Sequence, residues 1–378
     1  MADVPSIPDD NPDYWRDYGP LQAKKHELIK RYLQAWFPIL ASATGKIVYF
    51  ETHAGRGTYG GGAEGSPIVA LKTLLEHRSL FQILRRCEVA FVFVEQDPEN
   101  LKSLEQELAR LRQEESFDSA RITVRATCGE SFGILAETLD QMETTRNRIA
   151  PSLFFVDPYG FKLDGSIMAR ILGLGHTEII VNIMWHNIQQ ALGLGPRLQG
   201  MHATLTRLFN TDTWASRLGP NLSDRQKADV AVDLLTEAYG ATYGSALKMK
   251  DDTGGIKYFL LHLTNSLEGR KKMKEVLWAI SGPGFLFRTS RTEHEGHLFG
   301  EELEVEPTKE WIRSILTLGG RYLRDIEDRF ALTDWKDSHL TAALKDLYGT
   351  GEIETEPPMH GKSLVRKRVR FVRLSRSP

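Results

Sequence analysis

Three carboxylates stand where short apolar runs end: Glu51 after KIVYF, Glu95 after VAFVFV and Asp157 after SLFFV. Each is followed by residues that turn the chain: Thr52-His53-Ala54-Gly55-Arg56-Gly57, Gln96-Asp97-Pro98 and Pro158-Tyr159-Gly160-Phe161. A carboxylate so placed can pair with an ammonium, accept from the two hydroxyls of a sugar, or hold the N–H groups of an amine. Gly55 and Gly57 suit a loop that passes close under a ligand, because a Cβ would block the approach. Each feature also has a plain reading, since acids cap helices and glycines make ordinary tight turns. The repeated position at a strand end favours the ligand-binding one.

The elements that must position these residues follow from hydrophobic pattern. Val-, Ile- and Phe-rich strands are predicted at 46–51, 90–95, 122–126, 152–156 and 178–184, with helices at 66–77, 98–113, 131–142 and 165–173. Such alternation predicts a parallel sheet with right-handed crossovers, whose carboxyl edge is the place for a nucleotide-like cofactor. S-adenosylmethionine fits best. Glu51 would address its amino group, directly or through water, and Glu95 both ribose hydroxyls. Ala54, Gly55 and Gly57 would supply the loop, and Gln96 stands beside Glu95. Gly129, in Cys128-Gly129-Glu130-Ser131 after the third strand, lies where adenine would sit. Ser66-Pro67 reads as a helix N-cap and first residue. Substrate belongs at the fourth strand end. The exocyclic amine of a purine is a poor nucleophile, and acceptors that hold its N–H groups favour attack. Asp157, the Pro158 carbonyl and the ring of Tyr159 or Phe161 could do this.

Around this sheet the chain divides into a leader at 1–18, a sheet domain at 19–285 with a helical insertion at 187–255, a linker at 286–306 and a small domain at 307–378. The sheet domain opens with an amphipathic helix whose Leu21, Leu28, Tyr32, Leu33, Trp36 and Leu40 recur at helical spacing, with Lys24, Lys25 and His26 assigned to its wet face. In the small domain, three short helices and a two-stranded ribbon predict a winged helix. Its third helix would present Lys336 and His339, and its ribbon Arg366, Lys367, Arg368 and Arg370, to nucleic acid. From Lys362 to Pro378 there are seven Lys or Arg and no acid, although the overall formal charge is −2. A basic ribbon can also touch a protein, but nucleic acid is the favoured partner.

Other classes are disfavoured. The two cysteines, Cys87 and Cys128, form no CxxC, so neither a disulfide framework nor a zinc ribbon is expected. His294 and His297 lie three apart in HEGH with no third ligand, and no metal site is expected. There is no Walker loop, and GRGTYG does not fit GxGxxG. With no long apolar run, the expectation is a cytoplasmic protein without a membrane partner.

At these residues the chain resembles the three-Cys-motif partner protein family, TcmP. The resemblance covers Lys25, Tyr32 and Trp36, ETHAGRGTYGGGAEGSPIVAL, VEQDPENLKSL, FFVDPYGF, the late KYFLLHLT and KKMKEVLW segments, and the tail. It is also similar to bacterial large-subunit rRNA adenine-N6 methyltransferases through their DTHAGAGxY loop, GSPLIA helix start and E-x-x-P element. This implies a Rossmann-like class I methyltransferase fold, cofactor roles for Glu51, His53, Gly55, Gly57 and Glu95, and a substrate role for Asp157. Glu51 stands where the rRNA enzymes carry Asp. DPYG replaces their DPPY and resembles the fourth motif of tRNA guanine-N2 methyltransferases, so adenine and guanine amines both stand as acceptors. The first resemblance also implies the alternative of a subunit that binds a nucleoside-like ligand and a three-Cys-motif protein without methylating alone.

Overall fold

The computed structural model describes residues 18–115, 120–145, 149–158, 160, 163–194, 199–250, 255–281, 285–288, 305–358 and 366–375. They form two compact units, the first ending at 288 and the second beginning at 305.

The first unit opens with α1 (Pro20–Ala43) and β1 (Lys46–Glu51). Leu28, Ile29, Tyr32, Leu33, Trp36 and Phe37 bury one stripe of α1, as helical spacing predicts. After α2 (Ser66–Leu75) and α3 (Leu80–Arg86) come β2 (Glu88–Glu95), α4 (Pro98–Glu115), β3 (Ile122–Cys128), α5 (Ser131–Thr145), β4 (Ser152–Val156), α6 (Gly165–Gly173) and β5 (Thr177–Ile183). These five strands are parallel, in the order β3-β2-β1-β4-β5. Every residue of β4 and β5 is buried, as expected of strands covered on both faces.

Four helices follow: α7 (Trp185–Leu194), α8 (Gln199–Phe209), α9 (Trp214–Arg217) and α10 (Asp224–Ala238). Then come β6 (Tyr243–Lys250), β7 (Ile256–Thr264), α11 (Leu267–Ser281) and β8 (Leu286–Arg288). β7 runs antiparallel between β5 and β6, and β8 closes the edge, completing β3-β2-β1-β4-β5-β7-β6-β8. This is a Rossmann-like, mostly parallel sheet, as predicted. Two of its strands fall in segments read from sequence as something else. β6 lies inside the expected helical insertion, because YGSALKMK lacks β-branched residues and is made a strand by pairing with β7. β8 lies in the expected linker.

The second unit runs α12 (Glu306–Leu316), β9 (Arg321–Tyr322), α13 (Leu323–Ala331), α14 (Asp337–Gly349), β10 (Ile353–Glu356) and β11 (Phe371–Leu374). Its antiparallel sheet has the order β10-β11-β9. Ile312, Leu316, Ile326, Phe330, Leu340, Leu344, Leu347 and Val372 make its core. The predicted ribbon is strand only from Phe371, since Arg366–Arg368 form a 3-10 turn.

Candidate functional site

Strand order reverses between β1 and β4, and the carboxyl ends of the strands at such a switch point are where open α/β sheets bind their ligands. Glu51 pairs in register with Phe93 on one side and Phe155 on the other. Glu95 and Asp157 each lie two residues beyond those partners, so register alone brings the three predicted carboxylates to one edge.

The Gly55 N–H donates to Glu95 Oε2 at 2.6 Å, and the Asp97 N–H donates to Oε1 at 2.9 Å. The Ala54 N–H meets the Val94 carbonyl at 2.9 Å, and the Gly129 N–H meets the Glu95 carbonyl at 3.0 Å. Ends of β1, β2 and β3 are thereby joined around one carboxylate. Burial pushes the Glu95 carboxyl up, opposed by the N–H groups of Asp97, Gly55 and Gln96. Gln96 itself has an exposed side chain. Gly55 and Gly57 have φ of +64° and +83°, which only glycine takes without strain. Beyond them the chain doubles back: the Gly65 N–H donates to the Gly57 carbonyl at 2.7 Å, and Thr58 bridges to Glu64.

Glu51 lies deeper, with 0% exposure. Its Oε1 accepts from the Ser66 hydroxyl and its Oε2 from the Tyr49 hydroxyl. Burial pushes its carboxyl up to about 8. Ser66 was expected to cap α2, but Gly65 holds that place and Ser66 turns to Glu51 instead.

Asp157 is held by two side chains. Lys25 Nζ meets Oδ2 at 2.5 Å, and Asn182 Nδ2 donates to Oδ1 at 2.7 Å. Burial would raise the Asp157 carboxyl, but the Lys25 charge and hydrogen bond, with Asn182 and His53, hold it below the usual range. His53 stands in the loop with Nδ1 2.7 Å from Thr52 Oγ1 and its ring 6.0 Å from that of Phe132. Pro158 is buried. Tyr159 and Phe161 lie outside the described residues.

Sequence reasoning missed Lys25 and Asn182. Lys25 and His26 are not on a wet face: they are 3% and 4% exposed. The signal was available, because Lys25, Leu28, Ile29, Tyr32 and Trp36 fall on one helical stripe. His26 packs in tilted contact with the rings of Tyr18 and Tyr59, and burial together with the Lys25 charge lowers its ring to about 3, so it is neutral. Asn182 was legible as the one amide in the otherwise apolar end of TEIIVNI.

In the second unit the predicted nucleic-acid residues separate. His339 is buried in the core, since its helix turns that face inward. Arg366 is also turned inward: its guanidinium binds Asp337, Glu327 and Thr341, and its side chain is 13% exposed. Neither is placed to meet phosphate. Lys336 is half-buried at the start of α14. Arg368 and Arg370 are exposed, while the Lys367 side chain lies outside the described residues. No group of residues able to hold a metal, and no helix long and apolar enough to cross a membrane, occurs among the described residues.

The sequence matches no protein-family model and has significant similarity to no curated protein. Among solved structures, the chain is similar to protein LPL1258 from Legionella pneumophila, a DUF519 protein, at 14% identity and a TM-score of 0.33, over 68% of this chain and 93% of that one. It is also similar to the plantazolicin methyltransferase BpumL in complex with SAH, at 6% identity and a TM-score of 0.30, over 64% and 85% of the two chains. At these scores neither likeness assigns a cofactor or substrate, and the resemblance drawn from motifs is carried by those motifs alone.

Proposed function

We propose that this chain is a methyltransferase that uses S-adenosylmethionine to modify an exocyclic amine of a nucleic-acid base. The observation that carries the reading is the meeting, at the switch point of one sheet, of the Gly55 loop, Glu95 and Asp157. These residues fit the cofactor. Glu95 is a half-buried carboxylate suited to a sugar diol, and the Ala54–Gly57 loop brings backbone in without a Cβ at 55 and 57. Gly129 and Gln96 border the adenine side. Glu51 stands beneath the loop, where an approaching ammonium would favour its ionised form.

When bound, the cofactor supplies an electrophilic methyl group on a sulfonium. Asp157 receives the N–H groups of the acceptor. Its carboxyl lies below the usual range and is ionised at neutral pH, so it acts as an acceptor and a fixed negative charge beside the nitrogen that turns positive. A carboxylate accepts about four hydrogen bonds. Lys25 and Asn182 take two, which leaves room for substrate. The Pro158 carbonyl is a further acceptor and Tyr159 a stacking ring. Arg368 and Arg370, with Lys367 beside them in sequence and Lys336 at the start of α14, are the groups suited to phosphate.

The test is calorimetric titration of the purified protein with S-adenosylhomocysteine, beside a Glu95→Ala variant. Micromolar binding that weakens at least about tenfold in the variant is expected, the loss of a charged hydrogen-bond acceptor. A wild-type protein that does not bind sinks the reading. Binding without transfer to any RNA or DNA would move it to the partner-subunit alternative.

A further inference from the structure

Asn182 leaves a strong acceptor without a donor. The residue is 7% exposed, its Nδ2 donates to Asp157 Oδ1 at 2.7 Å, and its Oδ1 is buried with no hydrogen-bond partner among the described residues. Which way the carboxamide faces is set by chemistry: a carboxylate only accepts, so the nitrogen must point at Asp157. Oxygen and nitrogen hang from one carbon, so Oδ1 lies beside the same carboxylate. Val156 pairs with Val181, which makes Asp157 and Asn182 the next residues on adjacent strands. Buried carbonyl oxygens are nearly always satisfied, and an orphan beside the carboxylate that ends β4 calls for a ligand or a water.

We infer that Asn182 Oδ1 is a second acceptor for the methyl-accepting group, which is therefore a nitrogen carrying two hydrogens, held between Asp157 and Asn182. Two adjacent acceptors need two donors. A hydroxyl or thiol brings one and an unprotonated ring nitrogen brings none, whereas an –NH2 group brings both. The inference rests on the methyltransferase reading and narrows its acceptor to an exocyclic amine that still carries both hydrogens, one that has not already been substituted. Asn182 also positions Asp157, since one N–H of its Nδ2 holds the carboxylate from the β5 side while Lys25 holds it from α1; the same nitrogen also meets Met184 Sδ at 3.7 Å.

The test needs no substrate. Sinefungin carries a carbon in place of the sulfonium sulfur and, on it, an ammonium in place of the methyl, whereas S-adenosylhomocysteine has no group there. Calorimetry with both ligands is run on the intact wild type, Asn182→Leu and Asn182→Asp, with Asn182→Ala should the leucine variant fail to fold. Wild type should favour sinefungin, and removing the oxygen should cut that preference about tenfold, the loss of one charged hydrogen bond. Affinity for S-adenosylhomocysteine should stay within about twofold, on the same scale. Asn182→Asp keeps an acceptor and should keep the preference. An unchanged preference in the leucine or alanine variant overturns the inference and leaves the methyltransferase reading standing, Oδ1 then being served by water. Equal weakening of both ligands overturns it too, as a purely structural role. If wild type binds neither, the inference falls with the reading beneath it.

Discussion

Glu51 and Asp157 are two carboxylates at neighbouring strand ends with opposite electrostatics. Asp157 has a cation, an amide and His53 around it and is held low; Glu51 has two hydroxyls and no cation in contact and is pushed up to about 8. Their difference gives a stability prediction. An unfolded glutamate loses its proton near 4.5, whereas folded Glu51 keeps it to about 8. Between those values the native state binds the extra proton, so stability falls as pH rises and the penalty is complete above the folded value. Below 4.5 both states are protonated and there is no penalty. Glu51→Gln keeps the shape and both hydrogen-bonding positions but cannot ionise. Between pH 6 and 9 the wild type should lose about 2–3 kcal/mol that the variant does not, or roughly 5 °C in Tm. Differential scanning fluorimetry over that range reads it. Parallel pH profiles would show that Glu51 is ionised throughout.

The elements tell how much could be read in advance. Strands of the first five βα units were legible because each is an apolar run bounded by turn residues, and their carboxyl ends identified the edge where Glu51, Glu95 and Asp157 meet. β6 was not, since its residue types favour no strand and pairing with β7 and β8 makes it one. Lys25 was hidden for a different reason: charge was taken to mean exposure, although the periodicity of α1 put it on the buried stripe. That helix is bound to the sheet at two points along its stripe, by Lys25 to Asp157 and by the Tyr32 hydroxyl to Glu178, which also meets His262 at 2.8 Å. The glycine hairpin after β1 yields the prediction for this scale. A Cβ on Gly65 would come within 3.0 Å of the Gly57 carbonyl carbon and oxygen, backbone that cannot step aside without opening the loop. Gly65→Ala should therefore weaken S-adenosylhomocysteine binding about tenfold, while thermal stability falls by only about 1–2 kcal/mol, the usual size for a single strained loop position. Calorimetry and fluorimetry on one preparation separate the two. Unaltered ligand affinity would show that the hairpin does not shape the site.

At the scale of the whole molecule, the two units assign different work to residues that look alike in the basic tail. Arg366 lies among Glu327, both oxygens of Asp337 and Thr341, and joins the start of α14 to the segment before β11. Removing it would leave two partly exposed carboxylates without their shared cation, a loss of about 1–2 kcal/mol, between that of an exposed and of a buried ion pair. Arg368 and Arg370 are exposed, and the adjoining sequence from Lys362 to Pro378 contains no acid, so nothing in that stretch neutralises them. Their loss should leave the fold alone and remove phosphate contacts. In the full chain, Arg366→Ala is expected to lower the melting temperature of the unfolding step that S-adenosylhomocysteine does not shift, because that step belongs to the second unit. The double variant Arg368→Ala/Arg370→Ala should melt like wild type. Its affinity for an RNA or DNA oligonucleotide should drop, and the slope of log K against log salt should flatten by about 1–2, one unit or slightly less for each phosphate no longer neutralised. Fluorescence anisotropy between 50 and 200 mM salt, the range over which such slopes are steep, measures it. A double variant with the wild-type slope would take nucleic acid away from this surface, and a protein partner would then be the better account of its charge.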